Sequence, residues 1–118
     1  MKPIFRLTNA ETKLANFLWK NAPIGSMEMI RQVEKEIGWK KSTTFTNLKF
    51  MINKGLAQNV NSIVTMRYTE DEFYSEQSCV YVDDTFNGSL PMFVAAFTSK
   101  RKLSPKQVEE LKKMIDES

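Results

Sequence analysis

The stretch "KKSTTFTNLKFMINKGL", residues 40–56, reads as one helix with two unlike sides. Wound at about 100° per residue, it gathers Leu48, Met51 and Ile52 on one side, with Phe45 at the edge. The other side carries Ser42, Thr43, Thr46, Lys49 and Asn53. Surface helices usually fill such a face with Glu, Lys and Gln, which form helix better than Thr does. Here hydroxyls and lysines stand together, and no acid lies between Trp39 and Gly55. The neighbouring segments decide what such a face meets.

Upstream, Ser26 is placed to cap a second helix, with Met27, Ile30, Val33 and Ile37 as its apolar stripe, Glu34 off pattern and Gly38 closing it. Trp39 follows and is expected in the core. Further upstream, Thr8 and Glu11 stand at the capping-box spacing, with Leu7 as a staple. Leu14, Phe17 and Leu18 then mark a first helix over residues 9–20, broken by "NAPIGS". Downstream, Val60, Ile63, Val64, Thr65 and Tyr68 favour strands. They predict a hairpin of residues 56–60 and 63–69 with Asn61 and Ser62 at its tip. Three helices and then a hairpin is the order of a winged helix-turn-helix, whose third helix enters the DNA major groove while the hairpin flanks it.

From residue 70 the helical period returns. Phe73, Cys79 or Val80, and Phe86 line a helix over residues 71–86, which "NGSLP" ends. "MFVAAF" is a short apolar helix and "TSKRK" a polar connector. Ser104 and Pro105 open a last helix over residues 105–116 that offers Val108, Leu111 and Ile115 for burial, with Met114 near them. The fold class is therefore mainly α with a small β-hairpin: a winged-helix domain at residues 1–69 and a helical dimerisation domain at 70–118. The second domain has too few apolar residues to fold alone. Phe73, Val80, Phe86, Leu90, Phe93, Val94, Phe97, Leu111 and Ile115 are expected at a homodimer interface, whose two-fold symmetry suits an inverted-repeat operator.

Composition narrows the chemistry. The 118 residues, 42% apolar and 26% charged, suit a small soluble protein. No apolar run approaches the ~20 residues of a membrane span. The opening residues lack a signal-peptide core, so a cytoplasmic protein with no membrane partner is expected. One cysteine, Cys79, and no histidine exclude an intrachain disulfide and histidine-dependent triads, and argue against zinc. With four glycines and no phosphate loop, neither an enzyme nor a resident cofactor is expected. Cys79 itself reads as a small core hydrophobe.

Charge is divided along the chain. Residues 1–68 hold eleven Lys and Arg against four Asp and Glu, a formal +7; residues 69–118 hold six against ten, a formal −4. The basic part fits a polyanion such as double-stranded DNA. Ser42, Thr43 and Thr46 are the candidate readers of bases or backbone. Lys40, Lys41, Lys49 and Arg67 are the candidate phosphate contacts, and Asn61 is the candidate at the wing tip.

The chain also resembles the penicillinase/methicillinase repressors, the BlaI/MecI type. The resemblance lies in "LTNAETKLANFLW", "TTFTNLKFMINKGL" and "LSPKQVEELKKMID", and covers nearly the whole chain. An "L-(S/T)-x-A-E" opening with Trp19 eight residues after Glu11, combined with "T-x-x-T-x-L…KGL", is specific, and the closing segment matches independently. The resemblance implies a homodimer on inverted repeats near promoters, with interlocked C-terminal helices and control of β-lactam resistance genes. Thr43 and Thr46 match the family's two reading-helix threonines, and Lys54, Gly55 and Leu56 its closing turn. Thr44 and Asn47 stand where the family usually has apolar residues, and Phe50 where it often has arginine. Phe45 stands at a second such position in the penicillinase repressors and is expected to replace core volume, while Phe50, nearer the outer face, either touches thymine or packs on a neighbouring element, with packing the favoured reading.

The family's proteolysed segment aligns with "FVAAFTSKRKLS". A sensor protease is thereby implied as a partner, with the bond between Ala96 and Phe97 as the cleavage site, although Ala96 replaces the usual Asn. A copper-responsive branch of the family ends in a cysteine cluster that this chain lacks. The competing readings are a winged-helix protein-interaction module and a small-molecule-responsive regulator of other genes.

Overall fold

The computed structural model describes residues 2–118. Its elements in order are α1 (Asn9–Asn21), β1 (Ile24–Gly25), α2 (Ser26–Ile37), α3 (Lys41–Asn53), β2 (Ala57–Val60), β3 (Ile63–Met66), α4 (Glu70–Phe86), α5 (Leu90–Lys100) and α6 (Pro105–Glu117). The chain divides into two compact units, one running through Ser78 and the other Cys79–Ser118, so that α4 begins in one and ends in the other.

Helix starts follow their capping residues. In α1 the Thr8 hydroxyl accepts from the Glu11 N–H (3.1 Å), and the Glu11 carboxylate accepts from the Thr8 N–H (2.8 Å). Thr69 and Glu72 repeat this exchange at the start of α4, as do Ser104 and Gln107 at α6. Each satisfies two N–H groups that a helix start otherwise leaves unpaired. Ser26 does something else. It lies inside α2, buried, and its N–H donates to the Ser62 carbonyl (2.8 Å), tying the start of α2 to the hairpin tip.

The first unit closes around Leu14, Leu18, Met29, Val33, Leu48, Met51 and Val64, each at most 2% exposed. At about 1.5–3 kcal/mol per large apolar side chain, that burial is the main stabilising term. Trp39 and Phe45 pack against this cluster half-buried, as their positions predict. Met27 does not: it is 62% exposed, and Met29 fills the core instead. The buried residues of α2 are Ser26, Met29, Ile30 and Val33, so the stripe is centred about a quarter-turn away from Met27.

β3 is the middle strand of a three-stranded antiparallel sheet in the order β1-β3-β2. Val60 pairs with Ile63 across a two-residue turn. Asn61 and Ser62 both have positive φ (51° and 63°), as a type I′ hairpin turn requires. The two-residue β1, pairing Ile24 with Val64, lies inside the segment expected only to break α1. It is too short to leave a periodic signal.

Phe73 lies in the first unit. It is 1% exposed, and its ring stands 5.9 Å from Phe5, 5.6 Å from Trp19 and 5.2 Å from Tyr74. The burial expected from a second chain is thus supplied to Phe73 within one. In the second unit, Phe86 stacks on Phe93 at 5.5 Å, with Tyr81 edge-on to both. No residue of α5 or α6 is buried. Within one chain Leu111 and Ile115, expected at the homodimer interface, are 39% and 68% exposed, and Cys79 is exposed rather than a core residue. α5 also runs through Thr98, Ser99 and Lys100, part of the expected connector. The Thr98 and Ser99 hydroxyls donate to the carbonyls of Val94 and Ala96 (both 2.8 Å).

Candidate nucleic-acid interface

α3 presents the face its sequence promised. Leu48 and Met51 are buried, while Lys41, Ser42, Thr43, Thr46, Lys49 and Asn53 are exposed. The two polar residues at apolar positions are also buried, Thr44 fully and Asn47 at 9% exposure. Their polar atoms turn back on their own helix: Asn47 Nδ2 donates to the Thr43 carbonyl at 2.9 Å, and Thr44 Oγ1 to the Lys40 carbonyl at 3.4 Å. Such bonds remove most of the penalty for burying a polar group.

Lys40 is the N-cap of α3, and Lys41 sits with its ammonium 5.9 Å from the centre of the Phe45 ring. That cation–π contact restrains Lys41 beside the start of α3 while leaving it exposed. The helix N-terminus adds its own partial positive charge there, which favours an anion.

The far end of α3 is fastened. Lys54 Nζ donates to the Glu11 carboxylate (2.6 Å) and to the Arg6 carbonyl (2.8 Å). Burial opposes ionisation of Glu11, but the hydrogen bond from Lys54 and that from the Thr8 N–H outweigh it, holding the carboxyl below its ordinary value. Lys54 is thereby committed to joining α3 to α1 and is not a free cation. Gly55 follows with φ 78°, and Pro3 lies 3.4 Å from where a Cβ would stand, so a side chain there is both strained and crowded. The Ile4 N–H donates to the Lys54 carbonyl (2.8 Å). The segment bearing Lys2 and Arg6 is therefore anchored at the end of α3, which no periodicity reveals.

The wing residues do not gather at one point. Asn61 is exposed at the tip. Arg67 lies at the hairpin base, its N–H bonded to the Leu56 carbonyl (2.9 Å), about 15 Å of strand away from the tip. There it lines a cavity of about 400 Å³ with Trp19, Tyr68, Thr69, Glu70 and Glu72. The structure thus brings Ser42, Thr43, Thr46 and Lys49 onto one helix face, with Lys40 and Lys41 at its N-terminal end, and places Arg67 away from it at the hairpin base. Phe50, expected to pack on a neighbour, is 51% exposed on that same face.

The sequence profile described as "Penicillinase repressor" matches residues 7–117. The chain belongs to the penicillinase repressor family. It is 26% identical over 121 residues to the penicillinase repressor of Bacillus licheniformis, covering 99% of this chain and 94% of that one. It is 19% identical over 116 residues to the methicillin resistance regulatory protein MecI of Staphylococcus aureus (strain N315), with 95% and 94% covered. The solution structure of the DNA-binding domain of the repressor BlaI matches with a TM-score of 0.55 at 26% identity, over 61% of this chain and 93% of that chain. This member of the penicillinase repressor family is accordingly a DNA-binding repressor of the BlaI/MecI type, built on a winged helix. Its family is one of repressors rather than enzymes. Among the described residues, no helix is long and apolar enough to cross a membrane, and no group of side chains is arranged to hold a metal.

Proposed function

We propose that this repressor works in the cytoplasm as a homodimer on an inverted-repeat operator, with α3 of each copy in the major groove. Thr43 and Thr46 reach base edges, Lys40, Lys41 and Lys49 hold phosphates, and Asn61 approaches the backbone from the wing. The observation that carries the dimer is the second unit. Nine large apolar side chains between Val80 and Ile115 are 39–68% exposed. They include six of the nine expected interface residues: Val80, Leu90, Val94, Phe97, Leu111 and Ile115. Leu90, Phe93, Val94, Phe97, Leu111 and Met114 also border an open apolar cavity of about 420 Å³. A second copy covering these side chains removes a surface that a lone chain leaves in water.

The proposed targets are β-lactam resistance genes, as the names of the two relatives suggest. The proposed release is a cut between Ala96 and Phe97 by a sensor protease. Both residues are exposed, but they lie within α5, which must unwind locally for the bond to enter a protease. The cut detaches α6, and each chain loses what Val108, Leu111 and Ile115 bury at about 1.5–3 kcal/mol per side chain. That weakens the dimer by orders of magnitude, and operator affinity falls because two linked half-sites become independent.

Sedimentation equilibrium of the full chain at micromolar concentration tests the assembly: a dimer is expected, and a monomer overturns it. Mass spectrometry of the repressor in its host during β-lactam exposure tests release. A fragment ending at Ala96 is expected, and intact chain throughout induction eliminates proteolysis.

A further inference from the structure

α3 is an acid-free, hydroxyl-rich helix with one large apolar side chain on its exposed side. Phe50 stands seven residues after Thr43 and four after Thr46, and the helical period puts it between them on the same face. It is 51% exposed, while Leu48 and Met51 beside it in sequence are buried. Among the described residues Phe5, Phe73, Phe86, Phe93 and Phe97 stand in ring–ring contacts, and Phe17 and Phe45 pack in or against the core; Phe50 does neither.

We infer that Phe50 reads sequence: its ring meets the C5-methyl group of a thymine in the major groove. The inference rests on α3 lying in that groove, as proposed above. Three considerations single out this occupant. The lysines at the start and side of α3 draw the face toward polyanionic DNA rather than toward an apolar protein surface. The hydroxyls of Thr43 and Thr46 can both donate and accept, so a hydroxyl alone does not separate T·A from C·G. The middle of the face holds no bidentate reader such as Arg, Asn or Gln, and Asn53 comes only at the last residue of α3. The thymine methyl is the one apolar group that the major groove displays, and it separates a T·A pair from C·G where a hydroxyl does not. A phenyl ring among hydroxyls is matched to that group and to no other base-edge feature.

The test uses the full chain. A bound sequence is first selected from randomised duplexes. Failure to select any sequence would count against the groove-bound mode itself and is thereby told apart from failure of this inference. Each thymine of the selected site is then replaced by uracil, which removes the methyl group alone. At one position per half-site the unmodified chain is expected to lose about four-fold in affinity, the equivalent of withdrawing one methyl group from a buried contact. Phe50→Ala is expected to bind the thymine site more weakly and to lose nothing further on uracil replacement. Phe50→Leu, still apolar, is expected to keep part of the preference. Thermal melting of both variants should match the parent, because the side chain is exposed. The inference is overturned if every uracil replacement costs Phe50→Ala as much as it costs the parent. It is equally overturned if Phe50→Ala binds the selected site unchanged, an outcome that would assign Phe50 to a protein contact.

Discussion

The two units of this chain solve burial differently. The unit ending at Ser78 has a finished core in which Leu14, Leu18, Met29, Val33, Met51 and Val64 have no exposed surface. Cys79–Ser118 has no buried residue, although its aromatic and aliphatic side chains are at least as large. α1, α2 and α3 each offer one apolar stripe, and a three-stranded sheet closes the open side. α6 is amphipathic and α5 is apolar over most of its length, but within one chain little faces them. Apolar residues alone do not make a core; they need opposed surfaces. The first unit finds its own, and the proposed second copy supplies them to the other.

The largest effect expected from this difference comes from removing the second unit. A chain ending at Ser78 should stay folded as a monomer and lose operator affinity by about two to four orders of magnitude, since one linked half-site is gone. Sedimentation and fluorescence anisotropy with an operator duplex check this. A Ser78-terminated chain that dimerises and binds like the parent would break the comparison. The end point matters: a chain stopped at Thr69 loses Phe73, exposes Phe5 and Trp19, and should unfold.

Next in size, Phe73→Ala should destabilise the first unit by about 3–5 kcal/mol, the usual cost of deleting a buried ring. Phe97→Ala should leave the melting of that unit unaltered and shift the monomer–dimer equilibrium instead. Denaturant titration of each variant at several protein concentrations separates the two, and concentration-independent behaviour for both would remove the proposed contrast between the units.

On the reading face, Thr46→Ala should weaken specific binding by about 1–3 kcal/mol and barely alter binding to mixed-sequence DNA. Lys41→Ala should weaken both and lower the salt slope by about one. Footprints and salt titrations identical to those of the parent would remove α3 from the contact.

The smallest effect concerns the fastening of α3 to α1. The carboxyl of Glu11 is held below its ordinary value of 4.5 in the folded chain, so its contribution is complete above that value and disappears as pH falls through the lower folded one. In that window the unfolded chain takes up the proton first, and stability drops with pH. Glu11→Gln keeps a capping side chain but forfeits the charge pairing with Lys54. It should cost about 1–2 kcal/mol at neutral pH and flatten the acid limb of the melting profile. Equal acid slopes in parent and variant would show that the pair contributes nothing.

Much of the first unit was readable from local chemistry. Capping boxes, glycine stops, a period of 3.6 and then of 2, and the Asn61–Ser62 turn each depend on residues near one another in sequence, and these located α1, α2, α3 and the hairpin. The same helical period also placed Phe50 on the outer face. Of the two readings open to that ring, contact with thymine or packing on a neighbouring element, its 51% exposure speaks against the favoured packing.

The sequence by itself determined the capped starts of α1 and α6, the hairpin turn, the acid-free face of α3 and the family. All of these follow from side chains within a few residues of each other or from motifs read in order. Tertiary structure alone decided four further points. Ser26 joins α2 to the wing tip instead of capping, and Lys54 is consumed by Glu11. Phe73 belongs to the first unit, and Arg67 sits at the hairpin base, away from the wing tip. For Ser26, Lys54 and Phe73 the physical reason is shared. Hydrogen bonds, ion pairs and ring contacts between residues 36 to 54 positions apart depend on how finished elements meet, and no local period carries that information.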